Sequence, residues 1–160
     1  MTLGAAETRL QGMGTTLVLA VVSGVTAHLA HVGDSRAYLL RQDRLHRLTE
    51  DHSYATELVR GGLLDPMRAS AHPLGHTITR AIGMPGDVQP DVRQITLAHG
   101  DRLLLCSDGL TKMLADERVE AILGGGDPGT ACRALVDAAN EAGGDDNVSV
   151  VAVDVSGSRL

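Results

Sequence analysis

At 160 residues, 43% of them apolar, and with a net charge of −6, the chain is long enough for one globular domain and too apolar for disorder. Its core must be built from Leu, Val, Ile, Ala and Met, because it has two Tyr and no Phe or Trp. That deficit removes the stacking platforms of a single-strand nucleic-acid binder. The acidic balance, with no run of Lys or Arg, argues against binding a phosphate backbone through charge alone.

Residues 1–11 read as a polar, unpatterned tail without the basic and apolar regions of a signal peptide. Thr15–Val22 is apolar apart from its threonines, which suits a strand covered on both faces and is too short to span a bilayer. Ser23-Gly24 turns the chain into a second strand, Val25–Val32. After Gly33-Asp34-Ser35 a third strand, Arg36–Arg41, leads through Gln42-Asp43 into Arg44–Thr49. The four read as an antiparallel meander, with Leu39, Leu45 and Leu48 on one core face.

The middle of the chain changes character. Asp51-His52-Ser53 caps a predicted helix to about Arg60, stopped by Gly61-Gly62, and Asp65-Pro66 opens a short helical turn ending before His72-Pro73. Thr77–Ile82 is ambiguous. Strands resume at Asp91–Leu97 and Arg102–Cys106. Asp116 caps a helix to about Leu123, ended by Gly124-Gly125-Gly126. Asp127-Pro128 starts a longer helix to about Ala142, with Cys132, Leu135, Val136 and Ala139 as its apolar face. Asn147–Val155 is the last strand. The fold class is therefore α+β, with antiparallel sheets covered by helices. Cys106 and Cys132 read as buried reduced thiols, and the cytoplasm is the default location.

Three aspartates sit in turns at the ends of these strands: Asp34 in Val32-Gly33-Asp34-Ser35-Arg36, Asp108 in Cys106-Ser107-Asp108-Gly109-Leu110, and Asp146 in Gly143-Gly144-Asp145-Asp146-Asn147. A scaffold that aims three carboxylates at one point makes them repel, and a hard divalent cation such as Mg²⁺ or Mn²⁺ relieves that cost. Taken singly, each is the ordinary turn residue that Asp so often is.

The order of motifs carries more. Gly12-Met13-Gly14-Thr15-Thr16, Val32 to Arg36, Leu48-Thr49-Glu50-Asp51-His52, Thr79-Arg80-Ala81-Ile82-Gly83, Leu105 to Leu110, and Asp145-Asp146-Asn147-Val148-Ser149-Val150-Val151 together resemble the bacterial metal-dependent protein phosphatases of the PPM, or type 2C, family. The resemblance covers residues 12–156. It implies an antiparallel β-sandwich flanked by helices, with Mn²⁺ or Mg²⁺ at one edge. It implies that Asp108 and Asp146 ligate one ion of the main pair and that Asp34 and Asp108 help hold a weaker third. Ser107, Gly109 and Asn147 would then set the position of those ligands from behind. The ions would lower the pKa of a water that attacks phosphorus, with no covalent phosphoenzyme. Phosphoserine and phosphothreonine proteins are the implied substrates and a protein kinase a possible partner, with neither nucleic acid nor membrane involved. The stretch 51–74 corresponds to the family's variable flap.

One departure stands out. The family's domain begins upstream of Gly12, with an Arg that binds phosphate and an Asp-Gly-Met-Gly-Gly turn whose Asp bridges both metals. Here Gln11 precedes Gly12-Met13-Gly14, which matches the later Gly-Met-Gly-Thr-Thr motif. The expected architecture is therefore the C-terminal two-thirds of such a domain, incomplete at the N-terminus. Its rival is a catalytically inactive regulatory or metal-binding module on the same fold.

Weaker candidates remain. His72 and His76 are spaced i, i+4, but Pro73 and Gly75 prevent a regular helix. His28 and His31 lie on opposite faces of one strand and read as structural. Arg36 reads as a salt-bridge partner of Asp34 within the turn, and Arg80 as structural. The glycine-rich stretch 124–130 lacks the Lys of a phosphate loop and reads as a helix stop and restart.

Overall fold

The computed structural model describes residues 12–69, 72–75, 77–156. Among the described residues are seven strands: β1 (Leu17–Ser23), β2 (Thr26–Val32), β3 (Arg36–Arg41), β4 (Arg44–Arg47), β5 (Asp91–Thr96), β6 (Arg102–Cys106) and β7 (Val150–Asp154). The helices are α1 (Tyr54–Arg60), α2 (Asp108–Met113), α3 (Asp116–Leu123) and α4 (Pro128–Glu141), with a 3-10 turn at Pro66–Arg68. The strands form two antiparallel sheets, ordered β1-β2-β5 and β4-β3-β6-β7.

The hairpin signals fold as their residues dictate. Gly24, with φ of 58°, opens the two-residue loop between β1 and β2. Gln42 and Asp43 both take positive φ, 51° and 57°, as the tight turn between β3 and β4 requires. The expected meander is corrected, however. Between β2 and β3 the chain leaves one sheet and enters the other, so Gly33-Asp34-Ser35 is a link between layers. Gly33 is obligatory there, with φ of 104° and Thr16 packed where a Cβ would stand.

Alternation along the four-stranded sheet builds two cores. Ala37, Leu39, Leu48 and Leu103 point at the other sheet and meet Ala27, Leu29 and Leu97. Tyr38, Leu40, Leu104 and Cys106 point at the helices and meet Leu110, Val119, Leu123, Leu135 and Ala139. Leu45 packs on the helical side, away from Leu39 and Leu48, because it sits opposite Leu40 in the ladder. Tyr38 is fully buried, and its hydroxyl donates to Asp116 and accepts from Arg36, so the large ring carries no unsatisfied atom into the core. Burial pushes the Cys106 thiol up to about 12, leaving it inert, whereas Cys132 is only half-buried. Ala131 takes the core position on α4 that was expected of Cys132, since Ala131, Leu135 and Ala139 form the buried stripe.

Arg102 closes the end of the helical layer. Buried within β6, it pairs with Asp154 and donates to the carbonyls of Leu123 and Gly126, capping the last turn of α3. Among the described residues no helix is long and apolar enough to cross a membrane.

The double cover expected for the first strand is also corrected. Val18 and Ala20 face the inter-sheet core, but Leu17, Leu19 and Val21 are 44%, 46% and 54% exposed on the outer face. Val92 of β5 joins them. No described element packs there, so an apolar sheet face stands open to water. The isolated chain is expected to self-associate through this face. Light scattering should report species heavier than one chain, and Leu19→Lys with Val21→Lys should return it to a monomer. A wild-type chain that stays monomeric at high concentration would count against the open face as an association surface.

Candidate metal centre

All three aspartates project from one edge of the sandwich. β6 pairs with β3 on one side and β7 on the other, with Cys106 opposite both Arg36 and Val150. Asp34 lies two residues before β3, Asp108 two after β6, and Asp146 four before β7. Asp108 is not in a simple turn as expected: it is the first residue of α2, a helix too short for its periodicity to be read.

Lys112, one turn further along α2, ties the arrangement together. Its Nζ lies 2.5 Å from Asp108 Oδ2 and 3.2 Å from Asp146 Oδ2, so one ammonium spans two carboxylates. Asp34 joins Asp108, Lys112, Thr111, Arg36, Asp51 and Ser53 around a small cleft of about 30 Å³, room for a water or an ion. Burial and the Asp108 charge push the Asp34 carboxyl above the usual range, with Lys112 opposing them. Asp146 is held below it, first by the Asn147 N–H that donates to Oδ1 and then by Lys112.

The supporting residues act mainly through backbone. The Ser107 hydroxyl donates to the Asn147 carbonyl at 3.2 Å and accepts from the Ser149 N–H at 3.0 Å, and Ser107 N–H donates to the Ser149 carbonyl. The start of α2 is thereby sewn to the segment that carries Asp146 into β7. Gly109 lets the two segments touch, because a Cβ on it would overlap the Asn147 carbonyl. Oxygen-only donors, mutually repelling carboxylates and a close backbone cradle fit a hard divalent cation.

Arg36 is corrected. It pairs with Asp51, through Nε at 3.0 Å and Nη2 at 2.7 Å, rather than with Asp34. Arg47 also contacts Asp51, so that carboxylate is occupied by two guanidinium groups. Arg80 pairs with Asp91 at 2.9 Å. His72 accepts from Leu74 N–H and its ring lies 6.4 Å from Tyr54, while His76 falls outside the described residues.

A second cluster escaped sequence reasoning. The rings of His31 and His52 stack with centroids 4.5 Å apart, and with Asp91 they present ligand atoms within 4.8 Å of one another. Their hydrogen bonds dictate the protons. His31 Nε2 meets the Glu50 carbonyl and must donate, whereas His52 Nδ1 accepts from Gly33 N–H. The His52 proton is therefore on Nε2, 3.3 Å from Asp91 Oδ2, which leaves that nitrogen no lone pair for a metal. Instead His52 grips the link that carries Asp34, since its own N–H also donates to the Gly33 carbonyl at 2.9 Å. The available signal was the buried-strand position of His31 and the His after Glu50-Asp51, 21 residues apart.

Burial above all holds the His52 pKa below its usual 6.5. A group kept neutral in the fold opposes the proton that the unfolded chain accepts, so stability should fall as pH drops below 6.5. The depressed carboxylates Asp91, Asp101 and Asp154 act in a separate window, below 3.8. His52→Asn keeps an acceptor for Gly33 and removes the titration. Melting midpoints measured against pH should be flatter in that variant, and an unchanged slope would assign the effect elsewhere.

Residues 3–59 match the family model described as Protein phosphatase 2C. Protein phosphatase PhpP of Streptococcus pneumoniae is 42% identical over 147 residues, covering 91% of this chain and 60% of that protein. The crystal structure of the Mycobacterium tuberculosis serine/threonine phosphatase PstP/Ppp superposes with a TM-score of 0.91 at 37% identity, covering 96% of this chain and 65% of that one. Over more than nine-tenths of its length the chain is similar to protein phosphatases of the 2C kind. Serine/threonine phosphatase stp of Listeria innocua is 41% identical over 149 residues, covering 92% of this chain and 59% of that protein. A further neighbour, the catalytic domain of PstP described in complex with 2 manganese ions, superposes with a TM-score of 0.85. The chain spans about 60% of the length of the curated relatives it matches.

Proposed function

We propose that this chain carries the metal-binding edge of a protein serine/threonine phosphatase that uses Mn²⁺ or Mg²⁺ to hydrolyse phosphoserine and phosphothreonine. The observation that carries the reading is the meeting of Asp108 and Asp146 on a single cation, Lys112, with Asp34 on the adjoining cleft. Asp108 and Asp146 would hold one ion, and Asp34 with Asp108 a weaker one. A bound ion supplies the charge that activates water and offsets the phosphate. The chain's own residues do the rest: Ser107 and Gly109 hold α2 against the Asp146 segment, and His52 holds the Asp34 link.

The stretch 51–74 would be the flap that biases which phosphoprotein approaches; α1, capped by Ser53, is its described helix, and residues 70 and 71 lie outside the described residues. Two free thiols, one of them buried in the core, suit a reducing cytoplasm, where a protein kinase would be the signalling counterpart. The phosphatase names of the relatives favour this catalytic reading over a non-catalytic module. The test joins this chain to the upstream segment of a related phosphatase and follows Mn²⁺-dependent release of phosphate from a phosphothreonine peptide. Hydrolysis that needs no divalent ion would overturn the proposal.

A further inference from the structure

The geometry points to Lys112 as a tethered competitor for the divalent cation: its ammonium occupies the gap between Asp108 and Asp146 and must be expelled when an ion is taken up. The inference rests on the metal-site reading above and extends it to how the site is loaded. Lys112 is on the same short helix as Asp108, at i+4, so its stem reaches back over Asp108 by helix geometry alone. Its Nζ contacts the Oδ2 atom of each carboxylate, at 2.5 Å and 3.2 Å, and so occupies the space between the two oxygens that a shared ion would need.

Three physical consequences follow. The ammonium offsets the repulsion between two carboxylates aimed at one point, so the metal-free site stays assembled instead of splaying. Its uptake of an ion becomes an exchange of one cation for another, which weakens binding relative to an empty carboxylate pair. Lysine suits exchange, since a compact charge on a flexible four-carbon stem can swing to solvent, and this side chain is already 25% exposed. After the swing it remains beside a dication, and like-charge repulsion adds to the competition.

The contrast with His31, His52 and Asp91 is instructive. There the His31 proton is taken by the Glu50 carbonyl, and the His52 Nε2 proton faces Asp91 at 3.3 Å without a formed hydrogen bond, so no cation occupies the place of a metal. At Lys112 the donor is positioned between two oxygens that also serve the metal reading, and nothing else among its contacts demands a lysine.

The experiment measures Mn²⁺ binding to the chain by the electron paramagnetic resonance signal of free Mn²⁺, alongside thermal unfolding in chelator. Wild type is compared with Lys112→Gln, Lys112→Met, Lys112→Arg and Asp146→Asn. Removing the competitor is expected to tighten Mn²⁺ binding about tenfold in Lys112→Gln and Lys112→Met. The same variants should melt lower than wild type in chelator and gain more from added Mn²⁺, while Lys112→Arg should stay near wild type. Unchanged or weaker binding in both neutral variants, with binding still lost in Asp146→Asn, would overturn the competitor role and leave the metal site standing. Binding indifferent to Asp146 in every variant would overturn the site itself and the inference with it.

Discussion

Asp108→Ala is expected to abolish Mn²⁺-dependent phosphatase activity in this chain joined to the upstream segment of a relative. Asp108 contributes to both proposed ion positions, because it meets Asp146 through Lys112 and shares the cleft with Asp34. Losing it removes charge stabilisation worth several kcal/mol in the transition state, which corresponds to roughly 10³-fold or more in kcat/KM. Asp146→Ala should behave similarly. Asp34→Ala should slow turnover less, since Asp34 lines the cleft with Asp108 but forms no ion pair with the Lys112 ammonium that joins Asp108 to Asp146. The 160-residue chain alone should turn over little, as its sequence matches neither the bridging Asp nor the phosphate-binding Arg of the family. Assays of the fused and unfused chains on a phosphothreonine peptide would check both statements. Asp108→Ala activity within tenfold of the parent would refute the ligand assignment.

Gly109→Ala is expected to damage the same site without touching a charge. Its Cβ would overlap the Asn147 carbonyl, and that backbone is held by the Ser107 hydroxyl, so it cannot give way freely. The start of α2 must move from the Asp146 segment. Overpacking of this kind costs about 1–3 kcal/mol in stability. A displacement of about 1 Å between groups that must act together costs on the order of 10²-fold in rate. Chemical denaturation should report the first effect, the phosphatase assay of the fused chain the second, and Mn²⁺ titration a weakened affinity alongside them. A Gly109→Ala protein with native stability and native Mn²⁺ affinity would show that the close approach is dispensable.

Much of this architecture was legible in the sequence, for identifiable reasons. The bounds of β3 and β6 follow from abrupt turn residues on either side of short apolar runs. The α4 start follows from Asp127 as cap and Pro128 in the first turn, and Asp127 does accept from Gly129 and Thr130. The three aspartates stood out because each sits in a short turn next to a strongly apolar strand.

What was missed depends on contacts between distant residues. No local pattern says which sheet a strand joins, so β2 and β3 read as neighbours although Gly33-Asp34-Ser35 carries the chain across. Arg36 finds Asp51, 15 residues away, because the entry to α1 returns beside the start of β3. Lys112 became meaningful only once α2 was known to begin at Asp108, since the i+4 relation exists only on a helix. His31 and His52 meet because the Gly33 link and the entry to α1 are hydrogen-bonded to each other.

The two cores are unequal partners, and that inequality sets the tempo of the site. The β4-β3-β6-β7 sheet is packed on both faces, between the helices and the other sheet, and can open only by giving up both layers at once. The β1-β2-β5 sheet is packed on one face, so its strands can detach at the cost of a single interface. Asp108 and Asp146 ride on the slow half. Asp34 rides on the link between the halves, two residues before β3, and His52 holds that link through Gly33. Fluctuations of the looser sheet are therefore expected to reach the three aspartates first through the Asp34 link and last at Asp108 and Asp146.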